Sequence, residues 1–274
     1  MINVIVDGAC GRMGRMIING IEQAEAMQLV GAIEASNHPH LGQDVGEIAG
    51  VGRLGVSVTS DLPAIIDKCD VVIEFTSPEA TLEHLQNVVD ADKAMVIATT
   101  GYTDEQMRRI QELAPKIRCV MSPNYSVGIN LLLKVVQDVA KVLGDDFDVE
   151  VIEAHHNMKR DSPSGTALRI AEVIAESLNR NLDEVGVYGR HGMVGERLRQ
   201  EIGVHAIRGG DIVGDHTVLF AGIGERLEIT HRAQSRETFA RGALRAARWV
   251  VNAPRGLHDI DKVLFGGNNS AESN

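Results

Sequence analysis

The 274-residue chain is poor in the features that mark secreted, membrane or nucleic-acid-binding proteins. It has only three cysteines, Cys10, Cys69 and Cys119, widely spaced and without a C-x-x-C pair. Neither a disulfide framework nor a cysteine zinc site is indicated. No run approaches the ~18 apolar residues of a membrane span. Met1 leads straight into Ile2-Asn3-Val4-Ile5-Val6, without a charged leader or a cleavage site, so a cytoplasmic location with no membrane partner is expected. Positive charge is scarce as well: 27 Lys and Arg stand against 38 Asp and Glu, a formal −11. That argues against a nucleic-acid partner, and an anionic substrate would need a local cationic site. Aromatic residues make up 3% of the chain, so Val, Ile, Leu, Ala and Met must fill the core.

Glycine, at 28 residues, is plentiful and suits a fold with many tight strand-to-helix turns. In the first half, short apolar runs at Ile2–Val6, Leu29–Ile33, Val71–Phe75, Met95–Ala98 and Cys119–Met121 read as buried strands. Helical stretches separate them, beginning at Arg12, after Ser77-Pro78 and after Thr103-Asp104-Glu105. Ser77 can cap its helix and Pro78 suits the first helical position. This alternation predicts a parallel sheet covered on both faces. The second half reads as α+β: helix over Val127–Leu143, strand over Phe147–Ala154, helix over Gly165–Leu178, then strands at Gly203–Ile207, His216–Ala221 and Arg226–His231. A last helix spans Arg236–Val251. Gly222-Ile223-Gly224-Glu225 reads as a hairpin turn, and the small polar tail from Gly266 is expected to fray.

The turn after the first strand is Gly8-Ala9-Cys10-Gly11-Arg12-Met13-Gly14. Glycines there let the backbone approach a pyrophosphate seated on a helix N-terminus. The spacing is G-x-x-G-x-x-G, and such turns also arise for packing alone. Glu34, twenty residues beyond Gly14 at the end of the next strand, stands where an acid accepts hydrogen bonds from an adenosine ribose. Ala98-Thr99-Thr100-Gly101 and Ser122-Pro123-Asn124-Tyr125 also follow apolar strands, at the end of the sheet where ligands bind. Thr100 and Asn124 could equally be turn caps.

The second constellation is Glu153-Ala154-His155-His156-Asn157-Met158-Lys159-Arg160-Asp161-Ser162-Pro163-Ser164-Gly165-Thr166-Ala167. From 155 to 169 it carries three cations against one acid, and two histidines besides. Ser164-Gly165-Thr166 opens a helix whose amides can face an anion. Histidine and lysine together suit a carboxylate or oxyanion substrate whose protonation changes during reaction. Adjacent strand residues point to opposite faces, so His155 and His156 would not share a metal, and no metal is expected. Arg208-Gly209-Gly210-Asp211 reads as either a substrate-facing turn or a plain loop. His216 and His231 read as structural.

These residues resemble the 4-hydroxy-tetrahydrodipicolinate reductase (dihydrodipicolinate reductase) family of the bacterial diaminopimelate–lysine pathway. The likeness rests on the glycine turn, Ala98–Gly101, Asn124-Tyr125-Ser126-Val127-Gly128, the His-His-x-x-Lys segment with its Pro-Ser-Gly-Thr, and Arg208 through His216. It implies a Rossmann-type dinucleotide domain over 1–125 plus 236–274. A second α+β domain over 126–235, with a mixed sheet, would bind substrate and build a homotetramer. Gly8, Ala9, Cys10, Gly11, Arg12, Met13, Glu34, Ala98, Thr99, Thr100, Ser122, Pro123, Asn124 and Tyr125 would touch NADH or NADPH. His155 would be the acid–base residue and Lys159 the proton donor. His156, Gly165 and Thr166 would bind a small cyclic dicarboxylate. Two departures stand out: Cys10 where members often carry a small residue such as glycine, and Ala35 after Glu34 where some carry an arginine suited to a 2′-phosphate. NADH is therefore expected to serve at least as well as NADPH. A semialdehyde dehydrogenase would need a nucleophilic cysteine, and a non-catalytic NADH sensor would have no use for the His-His-x-x-Lys segment.

Overall fold

Residues 1–266 are described by a computed structural model. The frayed tail expected beyond Gly266, and the share of the first domain assigned to 267–274, lie outside the described residues. The chain divides into two units: Met1–Ser126 with the described residues from Glu237 onward, and Val127–Arg236.

The first unit grows from aliphatic runs too short and too uniformly apolar to leave a polar face. Its elements are β1 (Ile2–Asp7), α1 (Arg12–Glu22), β2 (Met27–Ile33), α2 (Val45–Ala49), β3 (Val58–Thr59), β4 (Val71–Glu74), α3 (Pro78–Asp90), β5 (Ala94–Ile97), α4 (Asp104–Leu113) and β6 (Arg118–Met121). Among the described residues seven parallel strands form one sheet, ordered β12-β6-β5-β4-β1-β2-β3, where β12 is Gly256–His258 from the returning C-terminal segment. Strands β4 and β5 are buried at every position, as a sheet covered on both faces requires. One layer packs Val4, Val6, Ile73 and Val96 against Ile17, Ile18, Ile21 and Leu244; the other packs Ile5, Val72, Met95 and Ile97 against Leu85, Val88, Ile110 and Leu113. Strand order reverses between β1 and β4, the switch point where such sheets place their ligands.

The helix signals act as the sequence suggests. The Ser77 side chain accepts the Ala80 N–H, with Pro78 in the first turn. Thr103 caps α4 in a reciprocal box with Gln106. The short β3, β12 and α2 have no visible period, because two- to five-residue elements are fixed by their neighbours' hydrogen bonds rather than by their own pattern.

The second unit contains α5 (Val127–Leu143), β7 (Asp148–His155), α6 (Gly165–Ser177), α7 (Leu182–Val185), β8 (Gly186–Val187), β9 (Ile202–Arg208), β10 (Gly214–Ala221) and β11 (Arg226–Ala233). Its sheet runs β11-β10-β7-β9-β8, antiparallel on the β10 side of β7 and parallel on the β9 side. Gly222 N–H closes the expected hairpin on the Glu225 carbonyl at 2.9 Å. Val149, Val151, Ile202, Val204, Val218 and Phe220 pack against α5 and α6 through Leu132, Val136, Ile170 and Ile174. The remaining elements, α8 (Glu237–Val250) and α9 (Ile260–Phe265), rejoin the first unit. No helix is long and apolar enough to cross a membrane among the described residues.

Candidate active site

Backbone geometry explains two of the three glycines in the first turn. Gly8 has φ +79°, and a Cβ there would lie 2.3 Å from the Phe75 carbonyl oxygen; only glycine meets both demands. A Cβ on Gly14 would lie 2.2 Å from the Gly8 oxygen, so this residue lets α1 press against the turn. Gly11 has φ −69° and is the N-cap of α1, with no side chain capping the helix. Gly11 and Arg12 are exposed, Met13 is half-buried, and Ala9 and Cys10 lie buried beneath them. An uncapped helix start that follows a glycine turn fits a pyrophosphate. Glu34 is tied to the same turn: its carboxylate accepts the Cys10 N–H at 2.8 Å and the Ala35 N–H at 3.3 Å.

A buried polar network supports the neighbouring strand ends. Thr99 donates its hydroxyl to Glu74 Oε1 at 2.5 Å and accepts the Thr76 N–H at 2.9 Å. Thr76 adds its own N–H and hydroxyl to that Glu74 oxygen, at 2.6 and 2.5 Å. Asp7 stands beside Glu74 in the parallel register and meets His84 Nδ1 at 2.5 Å. Burial pushes both carboxyl groups above their ordinary range. Burial opposes charge on His84, but the Asp7 carboxylate outweighs it and raises the imidazole. Ala98 is half-buried and Thr100 exposed. Asp7, Glu74 and His84 went unread in the sequence, where they look like ordinary strand-end and helix polar residues.

The Ser122–Tyr125 turn is held by Ser122 Oγ, which donates to the Asn124 carbonyl at 2.9 Å, and by Asn124 Oδ1, which accepts the Ser126 N–H at 2.9 Å. Pro123 is exposed and Asn124 half-buried. Tyr125 is different. It is 2% exposed, and its hydroxyl lies 2.8 Å from the Ile97 carbonyl. The ring is a strut of the core, so any contact with a cofactor falls to its backbone.

In the second unit, the helix-covered face of β7 carries Val149, Val151, Glu153 and His155 in alternation. The apolar phase gives way to two polar residues at the level where α6 begins. Glu153 is 0% exposed. Its Oε2 meets His155 Nδ1 at 2.6 Å and one Arg208 nitrogen at 2.7 Å; its Oε1 meets the other Arg208 nitrogen at 2.7 Å and the Ser164 N–H at 3.0 Å. Burial works against the ionised form, but these donors more than offset it and hold the carboxyl below its ordinary range. An ionised carboxylate only accepts, so the His155 proton resides on Nδ1 and Nε2 carries the lone pair. Burial lowers the His155 pKa despite Glu153, leaving the ring neutral near pH 7. Gly214 makes room for that nitrogen: a Cβ there would lie 3.0 Å from Nε2.

His216 sits opposite Glu153 in the β7–β10 register. Its Nε2 lies 3.2 Å from Ser164 Oγ, and its ring is edge-on to His155 with centroids 5.2 Å apart. Burial pushes it down to about 4. Lys159 pairs with Asp161 at 2.9 Å. His156 lies past the end of β7 and donates its N–H to the Ile212 carbonyl at 2.8 Å, so its direction is set by this loop pairing rather than by strand alternation. Ser164 caps α6 through its side chain on the Ala167 N–H at 3.2 Å. Its own amide is taken by Glu153, so of the Ser164–Thr166 amides read as facing an anion this one is already paired. Glu153, Arg208, Gly214 and His216 thus gather around His155, beyond the residues expected there. The signal was available: Glu153 and His216 occupy the core-facing phase of their strands.

The semialdehyde dehydrogenase alternative loses ground on cysteine chemistry. Burial pushes the Cys69 thiol up to about 12 and Cys119 higher still, far from the thiolate that an acylating dehydrogenase needs.

Comparison with known proteins agrees along the whole chain. Family models described as dihydrodipicolinate reductase, N-terminus and C-terminus, match residues 2–125 and 128–264. The 4-hydroxy-tetrahydrodipicolinate reductase of Syntrophobacter fumaroxidans is 53% identical over 264 residues, 96% of this chain and 99% of that one. The enzyme of the same name from Syntrophus aciditrophicus is 50% identical, covering 96% and 98%. A solved structure, dipicolinate-bound dihydrodipicolinate reductase from Paenisporosarcina sp. TG-14, superposes with a TM-score of 0.73 at 27% identity, covering 94% of this chain and 97% of that one. With its Rossmann-type sheet, its mixed second sheet and identity of this order over nearly its full length, the chain belongs to the 4-hydroxy-tetrahydrodipicolinate reductase family of oxidoreductases.

Proposed function

We propose that this chain reduces 4-hydroxy-tetrahydrodipicolinate to tetrahydrodipicolinate with loss of water, using a nicotinamide dinucleotide, in diaminopimelate–lysine biosynthesis. The observation that carries the reading is the Glu153-held His155 ring on one segment with Lys159 and the start of α6. That segment supplies cations for a dicarboxylate inside an acidic chain. The glycine turn and Glu34 fit a dinucleotide, with Gly8 to Met13, Ala98 to Thr100 and Ser122 to Tyr125 around it. Bound there, the nicotinamide supplies the hydride.

The chain's own residues then do the following. Gly165, Thr166 and His156 hold the substrate carboxylates. Lys159 has three N–H donors and spends one on Asp161, so it can hand a proton to the nitrogen-bearing anion that hydride addition creates. His155 presents an unprotonated Nε2 and accepts a proton or hydrogen bond until it is itself protonated. Oxidation of NADH with substrate freshly made from pyruvate and aspartate semialdehyde tests the proposal, and no oxidation above the rate without substrate refutes it.

NADH should serve at least as well as NADPH. A 2′-phosphate would bring charge against Glu34, and the following Ala35, Ser36 and Asn37 are exposed and uncharged. A natural preference for NADPH above tenfold in kcat/KM would point instead to Arg53. We also infer a homotetramer built through the second unit. Ile207, Ile223, Leu227, Met193 and Leu198 are exposed on it, and β11 is a free sheet edge. A stable particle near 30 kDa in light scattering would overturn that reading.

A further inference from the structure

The geometry points to a binding site for one thiophilic divalent cation, Zn²⁺ or Co²⁺, formed by Cys10, Glu34 and His38. Three different donor types converge from the glycine turn, the end of β2 and the loop that follows. Their ligand atoms all lie within 4.8 Å of one another, and no other such group of three or more occurs among the described residues. Zinc bonds of about 2.0 Å to nitrogen and oxygen and 2.3 Å to sulfur place tetrahedral donors roughly 3.3–3.7 Å apart. The three atoms therefore need to close by at most about 1.5 Å. Glu34 and His38 flank a turn closed by the His38 N–H on the Ala35 carbonyl at 2.9 Å, whose residues 35–37 are exposed. A side-chain movement of that size is available there.

Charge and ligand class also fit. A divalent ion must displace the proton that burial and the neighbouring Glu34 hold on the Cys10 thiol; the thiolate and carboxylate then balance its charge, and a sulfur, nitrogen and oxygen set is one that zinc takes. Glu34 is already oriented by the Cys10 and Ala35 amides, an outer-shell arrangement of the kind that fixes a ligating carboxylate. Three protein ligands leave a fourth position to water, so this is an exchangeable site rather than a folding clamp. It contains neither His155 nor His156, but it shares Cys10 and Glu34 with the proposed dinucleotide site. Its consequence rests on the functional reading above: Glu34 cannot both ligate the ion and accept the ribose hydroxyls, so cation and dinucleotide exclude each other.

Cobalt titration of the reduced full-length protein tests the site directly. One equivalent of Co²⁺ should raise a near-ultraviolet sulfur-to-cobalt charge-transfer band, and Zn²⁺ should bleach it. Cys10→Ala should abolish the band. His38→Ala, on an irregular loop, should keep the fold and weaken cobalt binding at least tenfold. No band in the parent protein, an undiminished band in Cys10→Ala, or unchanged affinity in His38→Ala would overturn the site. NADH should release the cobalt. A Cys10-dependent band indifferent to saturating NADH would uphold the cation site and refute the placement of the ribose on Glu34.

Discussion

Replacing Glu153 by glutamine should disable the enzyme through the tautomer of His155, although shape is preserved. The glutamine must present its carbonyl oxygen at one carboxylate position and its amide nitrogen at the other. At the Oε1 position the nitrogen would face the Ser164 N–H and an Arg208 N–H, two donors that cannot invert. At the Oε2 position it would face an Arg208 N–H and His155 Nδ1, and the imidazole can shift its proton. The second arrangement costs less, so His155 moves its proton to Nε2 and loses the acceptor that faces Gly214. Breaking a buried ion pair on one side costs ~3–5 kcal/mol. Arg208 retains some solvent contact at 21%, which favours the low end, and a loss of about 3 kcal/mol corresponds to roughly 6–12 °C in melting temperature.

The rate effect is separate from the stability effect. Loss of a positioned proton acceptor costs about 10²–10⁴ in kcat. NADH affinity should hold, since the dinucleotide residues belong to the other unit. The sign of the pH effect follows as well. Glu153 favours the imidazolium, so removing its charge lowers the His155 pKa further. Any limb of the pH–rate profile tied to protonated His155 then moves to lower pH. Nitrogen NMR of the imidazole reads the tautomer directly. A folded Glu153→Gln protein with kcat within threefold of the parent, or with the proton still on Nδ1, would refute this account.

Lys159→Ala should lose about 10²–10⁴ in kcat as a missing proton donor with NADH affinity unchanged, which fluorescence titration checks; an intact kcat removes Lys159 from the chemistry. Gly8→Ala should lower the melting temperature by several degrees and abolish NADH binding, because it meets the Phe75 carbonyl at positive φ; Gly11→Ala, with ordinary φ and its nearest contact at 3.2 Å, should leave the fold intact, and equal melting temperatures for the two variants would contradict the geometry. Glu74 has a raised folded pKa, so the folded state holds its proton and stability falls as pH climbs from the ordinary carboxylate range through the raised value. Glu74→Gln should therefore flatten that decline in melting temperature against pH, and an unchanged slope would assign it to other groups.

The sequence made the first unit legible because its signals are local. A buried parallel strand is an unbroken aliphatic run, and Ser77-Pro78 and Thr103 announce their helices chemically. The glycine turn is readable for the same reason, since Gly8 and Gly14 answer to backbone constraints within one turn of chain. Tyr125 is harder to read, because nothing local shows that its ring belongs to the core. Its burial depends on α8, where a Cβ on Gly242 would lie 1.7 Å from the Tyr125 carbonyl oxygen, more than a hundred residues away. Asp7, Glu74 and His84 are opaque for a similar reason: their partners come from separate strands and a helix, and nothing nearby marks them as buried.

Glu153 is the instructive case, because its role follows from phase once phase is taken seriously. Val149, Val151, Glu153 and His155 share one face of β7, and that face is the core. A carboxylate in core phase must be paired, since an uncompensated buried charge is too costly to keep. Its partners must come from neighbouring strands or from the element covering the face. Parallel register sets His155 against Arg208 on β9, and antiparallel register sets Glu153 against His216 on β10. Arg208 pairs with the acid directly, His216 meets Ser164 beside it, and both stand at odds with the apolar pattern of their strands. The polar residues that interrupt an apolar phase in three adjacent strands at one level of a sheet therefore mark a candidate site. Sequence order hides this because α6, α7 and β8 lie between β7 and β9 and a loop parts β9 from β10, and only the register brings them level.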